Sequence, residues 1–172
     1  YKITKLHYLG GILDILIKQK SKNIDRNHKV KLAFGAGSRK ETYHEFKKRF
    51  NIPLREVYGM TEASSFTTIN FKNKLGSIGK VLPWFKIKII NKVNGIGEIV
   101  INQKQKGLIT KGYYKDNKSS KMLIQKDGLH TGDLGKIDRK GNVFYIGRIK
   151  DFVRVKGENI SSWEIETNLN MH

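Results

Sequence analysis

The spacing of hydrophobic residues changes near Phe71, and this change limits the folds that the chain can adopt. Up to residue 70, stretches with helical spacing alternate with short apolar runs. The predicted order is helix, strand, helix, strand, over Leu6–Ile17, Val30–Phe34, about Ser38 to Phe50, and Leu54–Val57. Alternation of this kind is typical of an α/β architecture with parallel strands. We therefore predict that residues 1–70 form such a unit.

Within residues 71–150, the clearest signal is a strict alternation of apolar and polar residues that is typical of a half-buried strand. Phe85, Ile87 and Ile89 alternate with lysines, and the turn pair Asn94-Gly95 separates them from a return strand at Gly97–Ile101. A second pair is predicted at Leu134–Ile137 and Val143–Ile146. We predict a small, mainly antiparallel β unit here. A strand at Phe152–Val155, a turn over Lys156–Asn159 and a helix starting near Ser161 complete the prediction.

Composition restricts the classes of protein to which the chain can belong. Its 172 residues are 38% hydrophobic, enough for one domain with a real core. Cysteine is absent, which removes disulfides and thiolate metal sites and is consistent with a reducing cytoplasm. We expect no transmembrane segment, since no run of 18 apolar residues occurs. Because the first residue is Tyr1 rather than Met, we expect an internal fragment of a longer protein.

A formal charge of +19 raises the possibility of a polyanionic partner such as nucleic acid. The basic residues are mostly lysines spread over the whole chain, and isoleucine and asparagine are also abundant. All three have AT-rich codons, so a genomic base bias would produce this composition without any function. We expect no specific nucleic acid, although the positive field would help to attract ATP or CoA.

The first glycine-punctuated cluster is Tyr58-Gly59-Met60-Thr61-Glu62, directly after a predicted strand. Ligands of open α/β sheets bind at the carboxyl ends of strands. The cluster offers an aromatic face, a close backbone, a hydroxyl and a carboxylate. A nucleoside triphosphate with Mg²⁺ is bound by groups of these types. The alternative is a plain turn with Tyr58 in the core.

The second cluster is His130-Thr131-Gly132-Asp133-Leu134. A rigidly held carboxylate such as that of Asp133 can accept hydrogen bonds from both hydroxyls of a ribose. The alternative is a solvated acid in a turn, because aspartate next to glycine is common there. His130 could serve as a catalytic base, but its partner cannot be identified from the sequence.

The third cluster places charged residues and glycines at fixed spacing, in Gly147-Arg148-Ile149-Lys150-Asp151 and again in Lys156-Gly157-Glu158-Asn159-Ile160. Packing alone does not require this mixture, although a solvated face of a strand pair would also contain charges. Taken together and in this order, the three clusters resemble those of the adenylate-forming (AMP-binding) superfamily. The resemblance is closest to its acyl-CoA synthetases, including fatty-acid and carnitine-type CoA ligases.

The resemblance implies an α/β fold: part of an adenylate-forming large domain over residues 1–150, followed over 151–172 by the start of a C-terminal lid domain. It also implies a nucleotide site made of Gly35, Ala36, Gly37, Tyr58, Gly59, Met60, Thr61, Asp133 and Arg148. In that site the glycine turn would line adenine, Tyr58 would stack on it, and Asp133 would hold the ribose with help from Arg148.

The remaining residues have implied roles in catalysis and domain motion. Thr61 would bond the α-phosphate, and Glu62 would be the Mg²⁺ ligand. Asp151 would be the hinge before the lid, and Gly157 would lie on the path of the CoA thiol. The implied substrates are a carboxylic acid, ATP and CoA.

The family's phosphate loop and the lysine near the end of its lid are not found in these 172 residues. We therefore expect the fragment to be inactive without the N-terminal and lid segments of the same enzyme. A peptide-synthetase adenylation domain or a luciferase-like enzyme would share the three motifs and stays an alternative. A basic nucleic-acid-binding module and a degenerate, non-catalytic nucleotide binder are further alternatives.

Overall fold

The computed structural model describes residues 2–38, 40–155 and 158–161. Its first sheet has five strands in the order β1-β2-β3-β4-β5. These strands are Lys5–Leu9 (β1), Leu32–Ala36 (β2), Leu54–Met60 (β3), Ser65–Ile69 (β4) and Lys80–Val81 (β5). Two helices complete this part, Gly10–Lys18 (α1) and Lys40–Phe50 (α2).

The first three strands are parallel, which confirms the predicted α/β architecture. A core forms between this sheet and the two helices, and the side chains of Leu13 on α1 and Phe46 on α2 are fully buried in it. The remaining members of this core are Tyr8, Ala33, Ile52 and Leu54. Strand β4 then reverses direction and pairs with β3 in antiparallel fashion, so the sheet becomes mixed at the end of β3.

The prediction of a helix over Leu6–Ile17 was wrong in its first part, because Leu6 to Leu9 lie in β1. There the backbone pairs with β2, for example Tyr8 with Gly35. This pairing joins residues far apart in sequence, so it overrides the local helical spacing of the leucines. The strand geometry buries Tyr8 and leaves Leu9 exposed.

The second sheet confirms the predicted antiparallel unit. Its main strands run in the order β10-β9-β7-β6, and β8 pairs with β9. Their bounds are Phe85–Val93 (β6), Ile96–Gln103 (β7), Ile124–Gln125 (β8), Gly128–Ile137 (β9) and Val143–Arg148 (β10). A short helix not predicted from the sequence, Asn117–Leu123 (α3), precedes β8. The alternating residues Phe85, Ile87 and Ile89 are buried, as predicted.

After a 3-10 turn at Ile149–Asp151, strand β11 (Phe152–Val155) pairs with β12 (Glu158–Ser161). The predicted turn over 156–159 was too long, since Glu158 and Asn159 already belong to the ladder, where cross-strand hydrogen bonds continue the hairpin. Lys156, Gly157 and the helix expected from Ser161 onward lie outside the described residues. Among the described helices, none has the length and apolarity that would be needed to cross a membrane.

Candidate functional site

Tyr58 and Asp133 meet between the two sheets. The Tyr58 hydroxyl on β3 donates a hydrogen bond of 2.6 Å to Oδ2 of Asp133 on β9, across 75 residues of sequence. Both residues are buried. Burial and the negative charge of Asp133 raise the pKa of Tyr58, so its hydroxyl stays a proton donor. Burial also raises the pKa of Asp133, an effect that the hydrogen bond from Tyr58 opposes.

The other oxygen of the Asp133 carboxylate is unsatisfied. Oδ1 is buried and has no hydrogen-bond partner among the described residues. Arg148 pairs with Asp133 in the β9–β10 ladder, and its Nε lies 3.3 Å from Oδ1. That distance allows an ion pair, but the geometry does not make a hydrogen bond. A buried acceptor without a donor costs about 1–3 kcal/mol, so this oxygen is suited to an incoming hydroxyl group.

The backbone beside Asp133 is held by side-chain bonds from β7 and β9. The Gly132 amide donates to Oε1 of Glu98 at 3.0 Å, and Gly132 has a positive φ of 70°. The Thr131 hydroxyl donates to the Ile99 carbonyl at 2.7 Å and accepts from the Asp133 amide at 3.1 Å. These bonds constrain the bulge in the β7–β9 ladder that presents the Asp133 carboxylate.

His130 lies between two carboxylates. Its Nδ1 is 3.0 Å from Oε2 of Glu98, and its Nε2 is 2.9 Å from Oδ1 of Asp127. Burial disfavours the charged ring, but the hydrogen bonds and negative charges of Asp127 and Glu98 together outweigh it, so the pKa of His130 is raised. Glu98 and Asp127 are thus the partners of His130 that the sequence did not reveal, and the ring anchors the Glu98 carboxylate.

Thr61 and Glu62 form a 3-10 turn, Thr61–Ala63, directly after β3. Thr61 is exposed and Glu62 is half-buried. Oε1 of Glu62 accepts a hydrogen bond of 2.6 Å from the Tyr113 hydroxyl, which raises the pKa of Tyr113. Gly59 is needed just before the turn, because a Cβ there would come within 1.5 Å of the Ser65 carbonyl oxygen.

The turn after β2 is clamped by Glu56 of the neighbouring strand β3. The Gly37 amide donates to Oε1 of Glu56 at 2.7 Å, and the Ser38 hydroxyl donates to Oε2 at 2.5 Å. Gly37 adopts a positive φ of 81°. A Cβ on Gly35 would come within 1.9 Å of the Tyr8 carbonyl oxygen, so only glycine fits there.

The structure brings Tyr58, Asp133 and Arg148 into contact and places the other predicted residues near strand ends. Met60 packs partly against a second, larger core, the cluster of buried residues that includes Tyr58, Ala63, Phe85 and Ile99. Asp151 is exposed at the end of the 3-10 turn. Gly157 lies outside the described residues. Three residues whose side chains bond to the predicted groups or to their backbone were not found from the sequence: Glu56, Glu98 and Tyr113. No local pattern marks them, because each acts on residues of another segment.

The arrangement offers a buried carboxylate oxygen for a hydroxyl donor, an arginine beside it, and an exposed hydroxyl with a carboxylate at the end of β3. These groups suit a polar ligand that carries both hydroxyls and negative charge. Among the described residues, no three His, Asp or Glu side chains come together as a cation site. A cation at Glu62 would thus need further oxygens from a ligand, as is usual for Mg²⁺ with phosphates.

Comparison with known proteins gives one family match. The family described as "AMP-binding enzyme" matches residues 1–114, about two thirds of the chain. Two curated relatives are a 2-succinylbenzoate–CoA ligase from Oceanobacillus iheyensis and a luciferin 4-monooxygenase from Nipponoluciola cruciata. The chain is 35% identical to the first over 98% of its own length, and 34% identical to the second over 100% of its length.

A solved structure is similar over nearly the whole chain. It is the O-succinylbenzoate coenzyme A synthetase from Bacillus subtilis in complex with ATP and magnesium ion, with a TM-score of 0.80 and 25% identity over 98% of this chain. The chain covers 36% of that structure, and 36% and 33% of the two curated relatives. It therefore spans about a third of the length of the proteins that it matches.

Proposed function

Because the chain belongs to the AMP-binding enzyme family, we propose that it is part of an ATP-dependent carboxylic acid–CoA ligase. Such an enzyme joins an acid to AMP and then transfers the acyl group to the thiol of CoA. The names of the relatives support this proposal, since they include CoA ligases for 2-succinylbenzoate and 4-coumarate.

The observation that carries the proposal is the unsatisfied Oδ1 of Asp133. A ribose hydroxyl would donate to this oxygen and remove the cost of leaving it unpaired. Arg148, whose guanidinium is already beside the carboxylate, would contact the same ribose. We propose that the ring of Tyr58, whose hydroxyl is on Asp133, stacks on the adenine, and that Gly35-Ala36-Gly37 at the end of β2 lines it.

At the end of β3, Thr61 would donate its hydroxyl to the α-phosphate, and Gly59 and Met60 would bring the backbone close to it. The half-buried Glu62 fits a Mg²⁺ ion, because its Oε2 accepts no hydrogen bond from the described residues while Tyr113 holds Oε1. Bound there, the ion would neutralise charge on the phosphate oxygens.

In the first step, an oxygen of the substrate carboxylate would attack the α-phosphorus of ATP. The bond to the bridging oxygen would break and release pyrophosphate. In the second step, the CoA thiol would lose its proton, its sulfur would attack the acyl carbon, and AMP would leave. The residues of this chain would hold the nucleotide in place and leave little chemistry to side chains, so their contribution is orientation and charge stabilisation.

Several finer points are part of the same proposal. Residues 151–172 would begin the mobile lid, with Asp151 as hinge and Gly157 on the thiol path. The acid would be a fatty acid if the resemblance to fatty-acid ligases extends to the substrate. A cytoplasmic location is a further expectation from the same resemblance. The missing partners would be the other segments of the enzyme, without which we expect little adenylation.

A calorimetric titration of the chain with a non-hydrolysable acyl-adenylate mimic tests the proposal. We expect weak binding that Asp133→Asn reduces at least tenfold, since it removes the charge that the hydroxyls would contact. Asp25→Asn is the matched control, because the change of charge is the same and Asp25 bonds to Lys22 and Arg49 rather than to a residue of the candidate site. Absent binding of the mimic would reject the proposal, and salt-sensitive binding of duplex DNA instead would favour the basic-module alternative.

A further inference from the structure

The segment Leu108–Tyr113, between β7 and α3, is fastened across the turn that carries Glu62. The Thr110 amide donates to the Glu62 carbonyl at 2.8 Å, and the Ser64 hydroxyl donates to the Leu108 carbonyl at 2.7 Å. A third bond joins the Tyr113 hydroxyl to Oε1 of Glu62 at 2.6 Å. Backbone and side chain of Glu62 are thus both held by one segment that lies about 50 residues away.

The segment is itself fixed at both ends. Oε1 of Gln103 accepts hydrogen bonds from the Leu108 and Ile109 amides, at 2.9 and 3.0 Å. At the other end, the Tyr113 amide donates to the Ser120 hydroxyl at 2.8 Å. Leu108 and Ile109 also pack against the larger core. Tyr113 therefore approaches Glu62 from a rigid support.

A carboxylate that binds a cation is usually oriented by a second hydrogen bond to the protein. A hydroxyl on Oε1 stops free rotation of the Glu62 carboxylate and leaves Oε2 for the cation. We infer that Tyr113 is a positioning residue that presents Glu62 to the divalent cation accompanying ATP. The inference rests on the proposed function, and it adds a residue outside the three clusters.

The test measures nucleotide binding by the full chain, not turnover. ATP is titrated into the chain by calorimetry, once with Mn²⁺ as the probe cation and once with EDTA, and the ratio of the two affinities gives the cation's contribution. AMP without metal is titrated in parallel. The variant is Tyr113→Phe, and the matched control is Tyr114→Phe, which removes the same hydroxyl from a tyrosine that is 88% exposed.

In the wild type and in Tyr114→Phe, we expect Mn²⁺ to strengthen ATP binding equally. In Tyr113→Phe, the cation's contribution should fall about 10-fold or more, the usual effect of losing an outer partner of a metal ligand, while AMP affinity stays unchanged. A Tyr113→Phe chain with the wild-type cation contribution would overturn the inference and leave the proposed function intact. A wild-type chain that binds neither AMP nor ATP would reject both.

Discussion

Glu56 on β3 and Asp133 on β9 are both carboxylates that accept a hydrogen bond from a tyrosine, but their remaining partners differ. Glu56 accepts from Tyr8 at 3.0 Å and from two amides and a hydroxyl of the turn at 37–38, so both of its oxygens are engaged. Asp133 accepts from Tyr58 through Oδ2 and keeps a buried Oδ1 without a hydrogen bond.

Under the proposed function, this difference separates a structural carboxylate from one that is prepared for a ligand. A saturated carboxylate stabilises the fold, because removing it leaves several donors unpaired. An unsaturated buried carboxylate costs stability in the free protein, and such costs are concentrated at functional sites. We therefore expect substitutions near Glu56 to lower the free energy of unfolding. Substitutions at Asp133 should weaken nucleotide binding and raise the stability of the free chain.

The largest effect is expected at Gly35 in β2, two residues before the turn that Glu56 holds. Gly35→Ala would place a Cβ 1.9 Å from the Tyr8 carbonyl oxygen, so the β1–β2 pairing would have to open. We expect a loss of about 3 kcal/mol in the free energy of unfolding, measured by urea denaturation.

Gly11→Ala is the control for that substitution. Gly11 lies in α1 with nothing within 4 Å of a Cβ, so alanine should stabilise the chain by about 0.5–1 kcal/mol. If the two variants had similar free energies of unfolding, position 35 would tolerate a side chain. The structural role of the region around Glu56 would then be rejected.

The next effect is expected from Glu56→Ala, which leaves the amides of Gly37 and Ser38 without their carboxylate. We expect a loss of about 2 kcal/mol, because the bonds are charge-assisted but partly exposed. Glu45→Ala, at an exposed position of α2, should change the same measurement by less than about 0.5 kcal/mol. If both variants unfold at the same urea concentration, the hydrogen bonds of Glu56 to the turn at 37–38 do not stabilise the fold.

In both regions, the secondary structure was more predictable from the sequence than the contacts of the carboxylates. The elements of both were largely predictable, because runs such as Phe85–Ile89 express their burial in local spacing. Leu6–Leu9 was wrongly predicted as helix, and the short elements β4, β5, β8 and α3 were not predicted. The strand at Leu6–Leu9 depends on a partner 27 residues away, for example Leu6 with Ala33. Local spacing contains no information on such pairing.

In the candidate site, the residues proposed to bind the nucleotide were predictable and the residues that support them were not. Tyr58, Asp133 and Arg148 were found through short glycine-containing motifs, and the structure brings them together. Glu56 and Tyr113 carry no such signal, because each is defined by a bond to another segment. The Tyr58 hydroxyl on Asp133 was not predicted either, for the same reason.

Asp133→Asn should stabilise the free chain. It removes the negative charge of a buried carboxyl group whose pKa is raised by burial. The Tyr58 hydroxyl can still donate to the amide oxygen of the asparagine. We expect a gain of about 1 kcal/mol at neutral pH, or a melting temperature about 2–4 °C higher by calorimetry. The raised pKa means that the advantage should shrink as pH falls toward the protonation of Asp133. A destabilised variant would show that the charge supports the fold as Glu56 does.

The smallest effect is expected at His130, between Glu98 and Asp127. Its pKa in the folded chain is raised above the ordinary value of 6.5, so the ring's contribution to stability is complete below that pH and is lost as pH rises through the folded value. His130→Gln should therefore cost a few tenths of a kcal/mol near pH 6 and less near pH 9. Urea denaturation at the two pH values measures this difference, with His44→Gln, at an exposed position of α2, as control.

Two neighbouring groups affect the size of this pH dependence. The positive charge of Lys88 also acts on Asp127 and so weakens the pH dependence, whereas Glu98 also accepts a hydrogen bond from the Gly132 amide. If the two variants respond alike to pH, His130 does not help Glu98 to hold the backbone at Gly132, next to the unsatisfied carboxylate of Asp133.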